Sequence, residues 1–463
     1  MPTGGNINKE RNMKKMILKA AVAAAGLALI FSGCATDKSV NKDAYYNENI
    51  KDFSRTNLKN GIPVIFKKTG SSQIFVMRVI FEGGTPLVEK KLAGIEKLTM
   101  NLMFHGSAGY SYEDIQKMQY TTTFSMTNSS GRDYSVAGIK CLEKDLDSVL
   151  AVFADAINNP LFAEEDFVNF MRNAEEGLAS SMSNPSGQLS IELEKAAFGN
   201  SSYISSSDIT EESVKNITLD DVKKHWSNLL DAGRIKIVVV SGFDGEAQAQ
   251  FVEKINSYFG DIKKGDYKAP FVRKISVSGE NITVKNPQAG TSAYSIGFFD
   301  CPEKYDEDYV PFAISLMYLD DIFFEKVREE AGAVYSIGTG ILGGKELLGA
   351  ISAYKISDKE NINRLIMESI NSFPDEKGVE EKLNQYKNKY ITTIFGASQN
   401  STGVAANIIN SMEYSGDPAA YLKRSSQVVN VKPQDVVKAY KKYLAQNKGP
   451  ESNPIRWVTV SAD

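Results

Sequence analysis

Apolar residues in the first half of the chain fall into short blocks with two different periods. Blocks rich in β-branched and aromatic residues, bounded by turn residues, predict strands at 61–66, 74–81, 134–139 and 234–242. Apolar residues at helical spacing predict buried helices at 92–104 and 142–157. The second helix is expected to stop at Asn158-Asn159-Pro160, because proline cannot continue a helix.

The second half of the chain repeats this plan. Its pattern predicts a strand at 293–299, a long helix at 309–330 and strands at 334–341 and 348–354. Helices and strands mixed in this way predict an α+β fold.

A change of pattern near residue 265 predicts a domain boundary. A helical pattern closes at Gly260, a polar stretch follows, and Ala269-Pro270 opens a new extended segment. Two domains, 53–265 and 266–463, suit a chain of 463 residues.

The front of the chain predicts export. Lys14, Lys15 and Lys19 precede an apolar run at 20–31 that is too short to span a membrane, and the run ends at Ser32-Gly33-Cys34. Residues 1–33 are therefore predicted to be a signal peptide. The end of this segment resembles the lipobox of bacterial lipoproteins, which implies that Cys34 is lipidated. The alternative is an ordinary cleaved signal that happens to contain a cysteine.

The segment after Cys34 and the overall composition limit the possible partners. Residues 34–52 are polar and predict a flexible tether. In some bacteria an aspartate directly after the lipidated cysteine retains a lipoprotein in the inner membrane. Ala35 occupies that position here and therefore favours the outer membrane. With 53 Lys and Arg against 57 Asp and Glu, the net charge of -4 gives no electrostatic basis for binding nucleic acid. Cys141 and Cys301 lie in apolar contexts, and the sequence leaves open whether they are bridged or are two buried thiols.

A short segment of the first half carries a family signature without its chemical groups. Residues 94–107 read Gly-Ile-Glu-Lys-Leu-Thr-Met-Asn-Leu-Met-Phe-His-Gly-Ser. This resembles the Gly-Leu-Ala-His-x-x-Glu-His-Met-Leu-Phe-x-Gly-Thr signature of the pitrilysin family, which includes insulin-degrading enzymes and mitochondrial processing peptidases. In the family's H-x-x-E-H motif, two histidines on one helix face bind zinc and the glutamate activates the metal-bound water. Here Lys97, Met100 and Asn101 occupy those positions.

These three residues predict that the chain binds no metal or other cofactor. A lysine ammonium repels a metal cation, an asparagine carbonyl is a weak ligand, and a methionine cannot accept a proton. The two histidines of the chain, His105 and His225, are interpreted as a half-exposed turn residue and a packing residue. Family spacing places the distal zinc ligand near Glu175 and Glu176, which we interpret as part of a solvated helix face.

A second segment that resembles a family signature lies in the second half of the chain. Residues 323–336 read Phe-Phe-Glu-Lys-Val-Arg-Glu-Glu-Ala-Gly-Ala-Val-Tyr-Ser. They resemble the family's Leu-Arg-Glu-Glu-x-Gly-Leu-Ala-Tyr-Ser stretch, whose arginine and tyrosine hold the substrate peptide. The resemblance implies that Arg328 and Tyr335 bind substrate, with Gly332 ending the helix between them. The alternative is that Arg328 pairs with a nearby carboxylate and Tyr335 packs in the sheet.

The resemblance extends from about residue 60 to the C-terminus and implies two homologous helix-plus-sheet lobes forming a clamshell around a peptide chamber. The leading hypothesis is a non-catalytic, substrate-binding subunit of a heteromeric envelope zinc peptidase, with zinc only in a homologous partner subunit. The alternative is an inactive peptide-binding or scaffold lipoprotein without a proteolytic partner. An autonomous hydrolase with another nucleophile is disfavoured, because no motif places a histidine base.

Overall fold

Two mixed β-sheets, each built from one half of the chain, organise the computed structural model. It describes residues 44–70, 72–203, 205–272, 274–275, 277–444 and 455–463. The predicted signal peptide, the predicted lipidation site Cys34 and residues 34–43 of the predicted tether lie outside the described residues. In the described part of the chain, no helix has the length and apolar character needed to cross a membrane.

The first sheet contains the four strands predicted in the first half. Its strands are β1 (Phe53–Asn57), β2 (Pro63–Lys68), β3 (Ile74–Glu82), β4 (Phe124–Ser130), β5 (Tyr134–Leu142) and β6 (Ile235–Ser241). They are arranged in the order β1-β2-β6-β3-β5-β4, with β2 and β6 parallel and the other neighbours antiparallel. Strands β3 and β6 are mostly apolar, interrupted by Arg78 and Lys236, because both faces of the sheet are covered.

The second sheet repeats the topology of the first. Its strands are β7 (Ile282–Lys285), β8 (Ala293–Asp300), β9 (Val334–Gly343), β10 (Leu347–Ile356) and β11 (Arg456–Ser461). The order β7-β11-β8-β10-β9 matches β2-β6-β3-β5-β4 strand for strand, and the parallel pair recurs as β7 and β11. This match confirms the repeated plan and the α+β fold class.

Helices occupy corresponding places in the two halves, before β4 and β9, and between β5 and β6 as between β10 and β11. The α-helices are α1 (Ala44–Asn49), α2 (Ile95–Leu102), α3 (Tyr112–Thr121), α4 (Leu146–Asn158), α5 (Glu164–Ser183), α6 (Pro185–Phe198), α7 (Ser213–Asn216), α8 (Leu219–Leu229), α9 (Gly245–Phe259), α10 (Tyr309–Phe323), α11 (Ile362–Asn371), α12 (Glu376–Ala397), α13 (Ser401–Ser415), α14 (Arg424–Asn430) and α15 (Pro433–Tyr443). A π-helix, Phe324–Glu330, continues α10. The predicted helix at 309–330 is therefore α-helical up to Phe323 and π-helical over its last seven residues.

Each half of the chain supplies a helix to the sheet of the other half. Helix α13 buries Ala405, Ile408 and Ile409 against apolar residues of the first sheet, among them Val76 and Val238. Helix α6 packs in the same way against the second sheet, where Leu189 and Leu193 lie in one core cluster with Ile296, Phe298 and Val458. The two halves are consequently interlocked across the predicted boundary.

The described part of the predicted tether is folded. Residues 44–49 form α1 and Ile50–Asp52 a 3₁₀ turn. The Tyr45 ring packs edge-on against Phe395, with 5.3 Å between the ring centroids, and Asp52 pairs with Lys67 at 2.7 Å. The polar composition of this segment predicted a flexible tether, whereas an aromatic residue and an ion pair attach its described part to the body.

The two cysteines of the body are free, buried thiols rather than a disulfide. Burial raises the pKa of both Cys141 and Cys301 to about 12, so both remain protonated at neutral pH.

Candidate functional site

Helix α2, which carries the degenerate motif, begins at a glycine that the fold requires. Gly94 has φ of 79°, and a Cβ atom there would lie 2.4 Å from the backbone nitrogen of Ile209. The Gly94 amide donates to the carbonyl oxygen of Ser206 at 3.2 Å. The start of α2 is therefore fixed against the segment around residue 208.

Helix α2 presents Lys97 and Asn101 to a cavity and places Met100 in the core. Residues four apart share one helix face, so Lys97 and Asn101 both line the cavity. Lys97 Nζ forms an ion pair with Asp208 Oδ1 at 2.5 Å, whereas the Met100 side chain is fully buried. This set offers neither a zinc ligand pair nor a base at the positions of the family motif, so these residues do not fit a zinc ion.

The cavity has a volume of about 1270 Å³ and lies entirely within the first half of the chain. Its lining residues fall between Lys90 and Glu212 and come from α2, α5, α6 and the segment after α6. The lining contains both apolar side chains, such as Leu98 and Phe170, and amide groups, such as that of Asn173. A cavity of this size and lining suits several residues of a peptide.

Glu175 and Glu176 do not join this cavity. Both are exposed on α5, which presents Asn173, Ala174 and Gly177 to the cavity instead. Among the residues that the structure describes, no group of three or more His, Cys, Asp or Glu side chains is arranged to hold a metal ion.

A buried polar cluster behind α2 was not predicted from the sequence. The Ser135 hydroxyl donates to Glu96 Oε1, and His225 Nε2 lies 3.3 Å from Glu96 Oε2 without the angle of a hydrogen bond. Nearby, Arg234 Nε donates to the Glu82 carbonyl oxygen at 2.7 Å, and burial lowers the pKa of its guanidinium. His225 is thus a partly buried neighbour of a buried carboxylate as well as a packing residue.

The other histidine is half-buried, in agreement with its interpretation as a turn residue. The His105 ring stacks on Tyr112, with 4.5 Å between the centroids, and meets Phe170 edge-on at 4.8 Å. Its Nδ1 lies 3.4 Å from Asp166 Oδ1. These contacts account for His105 without a catalytic role.

Arg328 and Tyr335 lie together on the second half, outside the cavity of the first. The π-helix ends before Gly332, whose φ of 59° turns the chain into β9. The Arg328 guanidinium lies 5.1 Å from the centroid of the Phe324 ring and 6.0 Å from that of the Tyr335 ring. Tyr335 is 67% exposed, so it does not pack in the sheet core. Neither residue lines the large cavity.

Comparison with known families identifies the chain. A family model described as Insulinase (Peptidase family M16) matches residues 64–207, and one described as Peptidase M16 inactive domain matches residues 216–390. Together they cover more than half of the sequence. The chain belongs to peptidase family M16. This M16 chain matches both family models in order, in agreement with the repeated sheet topology.

Solved structures share the M16 fold of this chain at low sequence identity. The peptidase M16 inactive domain from Pseudomonas fluorescens has a TM-score of 0.74 at 19% identity, covering 89% of this chain and 98% of that one. A protease from Helicobacter pylori has a TM-score of 0.75 at 17% identity, covering 88% and 99%. The periplasmic protease PqqL from Escherichia coli has a TM-score of 0.73 at 14% identity, covering 89% of this chain and 46% of PqqL. No curated protein sequence matched the chain.

Proposed function

We propose that this M16 chain is a non-catalytic, substrate-binding subunit that completes the active site of a zinc-bearing, homologous partner. The observation that carries the proposal is the lining of the large cavity, to which α2 presents Lys97 and Asn101 where the family presents zinc ligands. A cavity that is large enough for a peptide but lacks the family's zinc ligands suits binding of the peptide without hydrolysis.

The position of Arg328 and Tyr335 supports a second subunit. The pair is exposed and does not line the cavity of its own chain, so both side chains are available to a peptide held by another molecule. A guanidinium can grip a peptide carbonyl, and a phenol can donate to the oxyanion that develops during cleavage. The chain also corresponds in fold to about half of PqqL, as one member of a pair would.

The alternative function is a peptide-binding or scaffold lipoprotein with no proteolytic partner. The cavity favours it to the extent that a volume of about 1270 Å³ within one chain needs no second subunit to hold a peptide. The two functions differ in whether a zinc-bearing partner subunit is bound to the chain in the cell.

Localisation at the cell envelope is part of the proposal. The basic residues, apolar run and Cys34 at the front of the sequence support a lipid anchor, with the outer membrane favoured by Ala35. Changing Cys34→Ser is expected to release the chain into the soluble fraction or to leave its precursor uncleaved, because the acyl chains provide the membrane affinity. Membrane fractionation with N-terminal sequencing checks this. A processed Cys34→Ser protein that stays on the membrane contradicts it.

Purification from the native membrane tests the proposed function. The chain is isolated with its associated proteins and then alone, and both samples are assayed for zinc content and for cleavage of unstructured peptides. We expect zinc and cleavage only in the complex. Stoichiometric zinc with peptidase activity in the isolated chain contradicts the proposal. If the chain binds peptides but no zinc-bearing protein is purified with it, the scaffold alternative is supported.

A further inference from the structure

A bulge in strand β10 exposes a lysine beside the Arg328–Tyr335 pair. The register of β10 against β8 shifts between Ala353 and Ile356, and Lys355 within this bulge has φ of 52°. Left-handed backbone is uncommon for residues other than glycine, and such strain and such bulges are concentrated at functional sites. The sequence pattern alone gave no reason to select Lys355.

Two cations lie near the same exposed ring. Lys355 Nζ is 5.2 Å from the centroid of the Tyr335 ring, and the Arg328 guanidinium is 6.0 Å from it. Among the described residues, no carboxylate oxygen lies within 4.0 Å of Lys355 Nζ, and Arg328 has only Glu329, 3.7 Å away and itself exposed. Within the described residues, the positive charge of Lys355 is therefore not neutralised by an ion pair.

The same lysine lines a polar cleft that contains no acidic residue. The cleft has a volume of about 490 Å³ and lies between the turn joining α5 to α6 and the second sheet. Its lining residues are Ser180, Ser183, Asn184, Pro185, Ser186, Gln288, Tyr294 and Lys355. Hydroxyl and amide groups can donate hydrogen bonds to carboxylate oxygens, and a cation among them favours a negative charge. The lining is complementary to an anion and not to an apolar group.

We propose that Lys355 and this cleft form a carboxylate-binding subsite of the peptide site at Arg328 and Tyr335. Arg328 and Tyr335 contact the peptide, and Lys355 selects peptides that carry a carboxylate at the adjoining position. The inference rests on the proposed function and adds to it the class of peptide that the chain prefers. The carboxylate is supplied by an acidic side chain or by the C-terminus of the peptide.

Peptide binding to the full chain, followed by fluorescence anisotropy, tests the subsite. Four labelled peptides of one length combine an internal Glu or Gln with a free or amidated C-terminus. We expect the wild-type chain to bind at least one carboxylate-bearing peptide about threefold to fivefold more tightly than the peptide with Gln and an amidated C-terminus, as suits a solvent-exposed charge pair. The peptide that shows the preference identifies the source of the carboxylate.

Three variants isolate the contribution of Lys355. Lys355→Gln should remove the preference and Lys355→Arg should retain it, while Lys377→Gln, which removes an exposed lysine on α12, should leave it unchanged. Equal preference in Lys355→Gln and Lys377→Gln overturns the inference, as does a wild-type chain that binds all four peptides equally. In both cases the proposed function stands, because peptides still bind. A chain that binds none of the four peptides overturns both.

Discussion

Glu96 and Lys97 are neighbours on α2 but lie in opposite environments. Glu96 is buried, accepts a hydrogen bond from Ser135 and faces His225. Lys97 points into the cavity, and its ion pair with Asp208 is exposed at both ends. Removing a buried carboxylate leaves its hydrogen-bond partners unpaired. An exposed ion pair, in contrast, contributes little to the free energy of unfolding.

Replacing the two residues separately should distinguish these environments. Glu96→Ala is expected to lower the free energy of unfolding by about 1–3 kcal/mol, because polar groups beside it are left buried without a partner. Lys97→Ala should change it by less than about 1 kcal/mol. Urea unfolding measures both. Equal losses in the two variants contradict the assignment of Glu96 to a structural cluster and of Lys97 to the cavity.

At this scale the sequence predicted side-chain chemistry better than side-chain neighbours. The motif spacing identified Lys97, Met100 and Asn101, and the helix rule correctly placed Lys97 and Asn101 on one face. The contact between Glu96 and His225 was not predicted, because the two residues are far apart in sequence and only the packing of α8 against α2 brings them together. The exposure of Lys355 depends in the same way on a bulge that no local pattern indicates.

At the scale of elements, turn residues decide where the site helix begins. Gly94 and Gly61 both have positive φ, of 79° and 90°, but their surroundings differ. A Cβ atom at Gly94 would meet the backbone of residues 208 and 209, whereas a Cβ atom at Gly61 meets nothing within 4 Å. Both positions favour glycine through backbone conformation, and only Gly94 also requires it for space.

Alanine substitutions should separate the two requirements. Gly61→Ala is expected to cost about 1–2 kcal/mol of unfolding free energy, the penalty for an L-residue in left-handed backbone. Gly94→Ala should cost more and should also make the segment around Asp208 more sensitive to limited proteolysis. Thermal unfolding and mass spectrometry of the fragments measure the two effects. If both variants show the same loss of stability and the same fragments, the close approach at Gly94 does not hold α2 in place.

Of the strands in the two described sheets, six of the seven interior ones were predicted, whereas three of the four edge strands were not. Strands β3 and β6 have both faces buried, and apart from Arg78 and Lys236 their interior positions are apolar. Strand β4 has one neighbour, and its sequence Phe-Ser-Met-Thr-Asn-Ser-Ser is mostly polar. Strands β1, β7 and β11 were missed as well. Of these, β1 and β7 are also at sheet edges, where fewer apolar side chains are needed.

At the scale of the whole molecule, the exchange of α6 and α13 makes the two halves interdependent. Without α13, the first sheet exposes a set of apolar side chains that includes Val76, Val238 and Val240. An exposed apolar face of this kind destabilises a fold and promotes aggregation. The sequence repeat indicated two similar lobes but not this exchange, because the apolar residues of a helix show that one side is buried and not which sheet covers it.

Expressing the halves separately tests their interdependence. Residues 45–265 alone are expected to be insoluble or to bind a hydrophobic dye, and coexpression with residues 266–463 should restore a soluble complex. Dye fluorescence and calorimetry of the separate and coexpressed halves provide the measurement. Two halves that each unfold cooperatively in isolation, at the temperature of the full chain, contradict the structural exchange.

We propose that this M16 chain contributes substrate binding, and not the metal site, to a two-subunit peptidase. The most direct test is the cleavage rate of the purified complex with Arg328→Ala or Tyr335→Phe in this chain, alongside the zinc content and elution volume of each complex. We predict that cleavage falls, by about 10²-fold where a hydrogen bond to the oxyanion is lost, while zinc and assembly stay unchanged. Cleavage at the wild-type rate by both variants, across several peptides and with normal assembly, would contradict the account.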